Sequence, residues 1–444
     1  MKQTTIHRHR KSDLGVPELI AIALGGMVGG GIFTILGISV SMIGIFTPVA
    51  IIIGGLMAYL AAYSYIKLGV FYKDEGASYS FFKRTFPKRQ FASSLVGWWV
   101  IFGYISTIAL YAYTFSSYAI SSFEFANNEW ARKLVAGIVI LTFTLINVWS
   151  VKGMGKLEDL MVYSKLVILV VISFVLINNS QTTLPTLFHN DNETTLVSIL
   201  IVASLTFVAY EGFQLVINAV NNMESPEKNI PKAIYSALFI AILIYVVIAL
   251  GAMLAIPFND IIENKEYALA SGAGHLLGHW GSDLVVVGAL LATSSAISAT
   301  LFGASRQMSV IAKDGYFPSY LTKRVETIPI KAIITMSTFA FLLILIADLE
   351  LILEFSSITF LLVSLLMAYA NYKMRFQTKS SAVMTLGAMC GLALATGFIL
   401  YYEMTAQLEQ VYFIASIYLL LTLGAWTYSK RAKVVGLLYM LKIK

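Results

Sequence analysis

The chain has 444 residues, 58% of them hydrophobic and 12% charged, with 31 Lys and Arg against 24 Asp and Glu. Soluble domains run at about 45–50% apolar (glycine included) and about 25% charged, so a soluble globular chain and a disordered one are both excluded. The single cysteine, Cys390, excludes an intrachain disulfide and a cysteine metal cluster. His7, His9, His189, His275 and His279 fall at the N-terminus or between apolar stretches, which argues against a His-ligated metal centre in the membrane. A polytopic membrane protein is the class that remains.

Apolar runs of about 20 residues are long enough to cross a bilayer core of about 30 Å as helices. Twelve such spans are predicted in chain order: 17–42, 48–67, 91–122, 131–149, 156–178, 195–221, 233–256, 283–312, 332–348, 351–370, 381–402 and 409–428. Placing residues 1–16 in the cytoplasm as an N-terminal tail puts 26 Lys and Arg in inner loops and tails and 3 in outer loops. That asymmetry is a strong positive-inside signal and places both termini in the cytoplasm. The net charge of +7 is then a matter of orientation and does not indicate a nucleic-acid partner. The first apolar run is too long for a cleavable signal, and the basic, apolar C-terminal tail, 429–444, is expected on the cytoplasmic surface.

Two spans carry interruptions. Span 1 contains Gly25, Gly26, Met27, Val28, Gly29, Gly30 and Gly31, and glycine costs about 1 kcal/mol per residue against alanine in a helix. Span 6 contains Phe207, Val208, Ala209, Tyr210, Glu211, Gly212, Phe213 and Gln214, with a charge and a glycine at mid-depth. Glycines of this kind also serve close helix packing. Unwound backbone within a membrane, however, is tolerated only where it is buried in protein or lines a cavity. Span 1 starts outward and span 6 inward, so spans 1–5 (17–178) and 6–10 (195–370) form two units of opposite topology, followed by spans 11 and 12 (381–428). Paired breaks in opposed halves are a pointer to a secondary-transporter site. Free amides of Val28 to Gly31 suit a carboxylate, and free carbonyls of Met27, Val208, Ala209 and Glu211 suit an ammonium group. A zwitterionic amino acid offers both.

The residues resemble the amino acid–polyamine–organocation transporters, which share the inverted-repeat fold of the sodium-coupled leucine transporter. Three motifs carry the likeness: GGMVGGGIF in span 1, FVAYEGFQ followed by NNMESPEKNIPKAI, and Ser305-Arg306 followed by Ala312 to Pro318. The resemblance implies carboxylate binding at Gly29, Gly30 and Gly31, and amine binding on the span 1 and span 6 carbonyls. The residue after Phe207 is often aromatic in that family and is Val208 here. The residue before Gly212 is usually apolar and is Glu211 here.

Charges within spans are expensive and functional by default. Lys165 lies nine residues beyond Lys156, about 13.5 Å deeper along a helix, and too deep to reach the surface fully. It is either a structural contact or a coupling group. The resemblance implies the second: its ammonium replaces a bound sodium ion, between the Gly25 carbonyl and the Ala292–Ser295 stretch, where Thr293, Ser294 and Ser295 offer hydroxyls. Glu211 is read as the only acid inside a span. It pairs with Arg306, Lys165 or a backbone amide, contacts a cationic substrate group, or carries a proton. Arg306 and Phe213 are assigned to gating or structure, and Tyr104, Tyr111 and Tyr113 are candidate pocket walls.

The expected molecule is an all-α membrane protein of twelve helices with a 5+5 inverted repeat and broken spans 1 and 6. Its expected activity is secondary transport of amino acids across the cell membrane by alternating access, coupled to protons through Lys165. An alternative of the same fold moves amines, polyamines or cations, or exchanges amino acids, with Glu211 selecting a cationic substrate. No cofactor is implied, and no H-E-x-x-H, G-x-S-x-G or P-loop motif supports an enzyme or an ATP-driven pump. The partners are the small-molecule substrate, protons and the bilayer.

Overall fold

The computed structural model describes residues 14–126, 128–149, 151–180, 194–264, 267–325 and 327–442. Residues 1–13 of the predicted tail, His189 and Lys265 lie outside them. The helices are α1 (Val16–Met27), α2 (Gly30–Ile43), α3 (Thr47–Tyr72), α4 (Ala77–Thr85), α5 (Gln90–Ala119), α6 (Glu129–Trp149), α7 (Val151–Asn178), α8 (Leu196–Thr206), α9 (Leu215–Asn218), α10 (Pro226–Ala255), α11 (Phe258–Glu263), α12 (Ala268–Leu277), α13 (His279–Lys313), α14 (Ile330–Ile346), α15 (Leu349–Met374), α16 (Ala382–Ala406) and α17 (Leu408–Lys442). Each of the twelve predicted spans falls on one of these helices, or on a pair of them. Among the described residues, ten helical stretches are long and apolar enough to cross a membrane, joined by the shorter apolar helices α1 and α14. The protein is a multi-pass membrane protein.

Helix ends follow from local sequence. Pro17 opens α1, where Glu18 accepts a hydrogen bond from the Gly15 amide at 2.9 Å. Thr195, Asp348 and Ser381 each accept an amide at the start of their helices, as good N-caps do. Pro226 opens α10.

The packing is inverted relative to a soluble protein. Leu141, Leu145, Phe174 and Leu419 are about 60–70% exposed, presenting large apolar side chains outward, where lipid receives them. The interior carries small polar groups instead: Thr293, Ser295, Ser298 and Thr300 of α13 are all buried. Helices α5 and α13 form a central packed pair, with α1 and α2 set against α13.

Both interruptions are present. α1 stops at Met27, Val28 and Gly29 are non-helical, and α2 begins at Gly30. The sixth span leaves the α-helix at Thr206, makes a 3-10 turn over Phe207–Tyr210, extends at Glu211 and resumes at α9. The two breaks touch at Gly212, whose φ of +127° favours glycine strongly. A Cβ there would stand 2.5 Å from the Gly26 carbonyl carbon and 2.6 Å from the Met27 nitrogen. The start of α1 meets the end of the sixth span, since the Leu14 amide donates to the Asn222 carbonyl and the Glu224 amide to the Leu14 carbonyl. The two broken spans therefore run in opposite directions.

One expectation needs correction. Glu211 is not the only acid inside a span. α15 starts at Leu349 and α16 runs to Ala406, so Glu354 and Glu403 lie within helices, 1% and 2% exposed. Glu354 lies within the predicted span 351–370, and Glu403 lies one residue beyond the predicted span 381–402.

Replacing Gly212 with alanine forces an L residue into that conformation against backbone that cannot yield. A loss of at least about 1–3 kcal/mol is expected, read as a lower melting temperature of the detergent-solubilised protein.

Candidate substrate and coupling site

The break in α1 exposes backbone, and the surrounding helices supply donors to it. Lys165 of α7 is fully buried. Its Nζ donates to the carbonyls of Leu24 (3.1 Å), Gly25 (3.2 Å) and Val28 (2.6 Å), and to Ser295 Oγ of α13 (2.6 Å). The ammonium thus sits at the C-terminal end of α1, where a helix dipole favours positive charge. Of the hydroxyls expected near it, the one that makes the contact is Ser295. Thr293 turns back to the carbonyls of Ala289 and Leu290, and Ser294, nearly buried, makes no hydrogen bond to Lys165.

Two tyrosines complete the set. Tyr111 of α5 donates to the Gly26 carbonyl at 2.9 Å. Tyr245 of α10 places its hydroxyl 2.7 Å from the Met27 carbonyl and 2.9 Å from that of Ala209, tying the first break to the second. Tyr245 was missed in the sequence. Its signal was faint: one phenol in the aliphatic run AILIYVVIAL, a polar tip that must find a partner when buried.

The amide side is different. The Val28 amide donates to the Leu24 carbonyl and the Gly29 amide to the Met27 carbonyl, so two of the amides assigned to a carboxylate are used by the chain itself. The amides of Gly30, Gly31 and Ile32 open α2, precede its own hydrogen-bond ladder, and receive no side-chain cap from Gly29. The uncapped amides therefore lie one to two residues later than the spacing suggested. Gly29 lies against Ala296 and the Tyr111 ring, where an added Cβ would stand 2.5 Å from Ala296 Cβ.

In the second break, Phe207, Val208, Ala209, Tyr210 and Phe213 are all buried. The Val208 carbonyl accepts the Glu211 amide, and Tyr210 directs its hydroxyl to the Ile51 carbonyl of α3. Phe213 packs edge-on against Tyr65 at 5.3 Å. Glu211 is 2% exposed, and its Oε2 accepts a hydrogen bond from Gln214 Nε2 at 2.5 Å. Neither Lys165 nor Arg306 is its partner: Lys165 is held at α1, and Arg306 donates to the Phe302 carbonyl at 2.7 Å and stacks on that ring at 3.4 Å. Beside Arg306, Arg324 joins the Glu75 carboxylate at 3.0 Å, forming a polar cluster around the end of α13. Tyr104, Tyr111 and Tyr113 are buried, and Tyr104 packs against Phe360.

A family model described as amino acid permease matches residues 14–421. The chain belongs to that family, and it is a membrane transporter, not an enzyme. It is 28% identical to the inner membrane transport protein YbaT of Escherichia coli, over 95% of this chain and 97% of that protein. An uncharacterized protein of Methanocaldococcus jannaschii is 29% identical over 82% of this chain and 83% of its own length. The cationic amino acid transporter 7 of Arabidopsis thaliana is 25% identical over 81% and 65%.

Tyr245→Phe removes the hydroxyl shared by the Met27 and Ala209 carbonyls. A cost of about 0.5–2 kcal/mol is expected, measured as a fall in melting temperature, together with slower uptake in proteoliposomes.

Proposed function

We propose that this protein carries amino acids across the cell membrane by alternating access, driven by protons that bind at Lys165. The supporting observation is the Lys165 ammonium itself, fully buried and placed on four oxygens from α1 and α13. A charge at this depth costs at least about 2.5–3.5 kcal/mol unless it is compensated. Protonated, Lys165 holds α7 and α13 to the end of α1. Without its proton it loses the charge that attracts those oxygens, and the helices are released to rearrange.

The substrate carboxylate docks on the amides of Gly30, Gly31 and Ile32, where the α2 dipole adds to the hydrogen bonds. Its ammonium takes the second lone pair of the Ala209 carbonyl, beside Tyr245. Spans 1–5 and 6–10 act as the two inverted repeats, a layout supported by the antiparallel crossing of the two breaks. Both termini face the cytoplasm, in keeping with the excess of basic residues in the loops on that side.

Uptake into proteoliposomes with and without an inward proton gradient checks the coupling. Lys165→Gln keeps a hydrogen-bonding side chain without a titrating charge, and its uptake is expected to lose gradient dependence. Full gradient dependence in that variant would sink the coupling role.

A further inference from the structure

Glu211 belongs to a buried cluster whose polar atoms are not satisfied. Its Oε1, Gln214 Oε1, the Tyr65 and Tyr104 hydroxyls and Ser364 Oγ are all buried without a well-formed hydrogen bond, Tyr65 facing Ser364 and Tyr104 facing Gln214. They come from four separate elements: the second break, α3, α5 and α15. Five such atoms in one place are unusual, because buried polar groups are nearly always paired. Two of them, the carboxylate and amide oxygens, can only accept, and the three hydroxyls can turn to do the same.

Among the described residues, the surroundings bring no counter-charge. The groups that face Glu211 are Tyr65 of α3, Tyr104 and Tyr111 of α5, and Gln214. Helices α2 and α8, which also pack on the break, contain no titratable residue. Tyr245 of α10 is turned to the backbone carbonyls, and Lys165 of α7 to the end of α1. The carboxyl adjoins the backbone site: Ala209, two residues earlier, lies against Gly31, and Gly212, the next residue, lies against Gly26.

The geometry points to Glu211 as a site that holds one positive charge with every substrate, a proton when the substrate side chain is neutral and the substrate's own cationic side chain when it has one. This rests on the amino acid site proposed above. A buried carboxylate with one amide donor and no counter-charge is costly, so with a neutral amino acid it is occupied as the acid. A Lys- or Arg-like side chain donates to Glu211 Oε1 and Gln214 Oε1. The Glu211 proton then leaves to solvent, so the carboxylic acid and the cation outside become an ion pair inside and a free proton.

The test compares L-alanine and L-arginine on the purified full-length protein in weakly buffered detergent solution near neutral pH, using a pH-indicator dye. Any proton change at Lys165 is common to both ligands, so the difference reports on Glu211. Arginine is expected to displace radiolabelled alanine and to release one proton more per ligand bound. In Glu211→Gln that excess release disappears, and the arginine-to-alanine affinity ratio falls by about tenfold or more, the loss of one charge-assisted hydrogen bond. Glu211→Asp restores part of both. The wild-type measurement stands even if a variant fails to fold. Alanine binding with no displacement by arginine, or displacement without excess proton release, overturns this assignment and leaves the amino acid site intact. Failure of both amino acids to bind overturns both.

Discussion

A helix that breaks inside a membrane leaves backbone carbonyls that no water can satisfy, and this one constraint organises the centre of the molecule. Five successive carbonyls, Leu24 to Val28, meet donors from elsewhere in the chain. Lys165 takes three of them, Tyr111 the fourth and Tyr245 the fifth. Those donors stand on α7, α5 and α10, so the end of α1 is the point at which three helices are fixed relative to one another. The same hydroxyl of Tyr245 reaches Ala209 and so joins the second break to the first.

The break is asymmetric as a result. Its carbonyl side is already supplied by the protein, whereas the amides that open α2 have no cap. In electrostatic terms the carbonyl side holds the Lys165 ammonium and the amide side keeps an unanswered partial positive charge. A ligand that brings a carboxylate therefore gains most at the amides, and its amine must share acceptors with side chains already in place. Glu211 sits beside this arrangement, held by one amide donor from Gln214.

Much of this was legible in the sequence because it rests on composition and spacing. The glycine cluster at 25–31 marks the first break, and Gly212 next to Glu211 marks the second. The depth of Lys165 within span 5 already required a polar partner. What could not be read was the partner's identity among neighbouring hydroxyls. Ser294 and Ser295 differ by one residue, about 100° around a helix, and only the packing of α13 decides which faces α7. Tyr245 and Ser364 are single polar residues in apolar runs, Tyr65 is one of several in the run Tyr63-Ser64-Tyr65, and their convergence depends on how distant helices cross. Glu403 was hidden for another reason: it lies one residue past the predicted span 381–402, where an apolar-run criterion stops before the helix does.

The contact of Leu14 with Asn222 and Glu224 has a mechanical meaning. Short as it is, it clips the entry of one discontinuous span to the exit of the other. At the crossing the two chains also meet at Gly26 and Gly212. Two points of attachment remove the free swivel that a single point would leave. The half-helices α1 and α9 are thereby joined into a single strut that lies against α13.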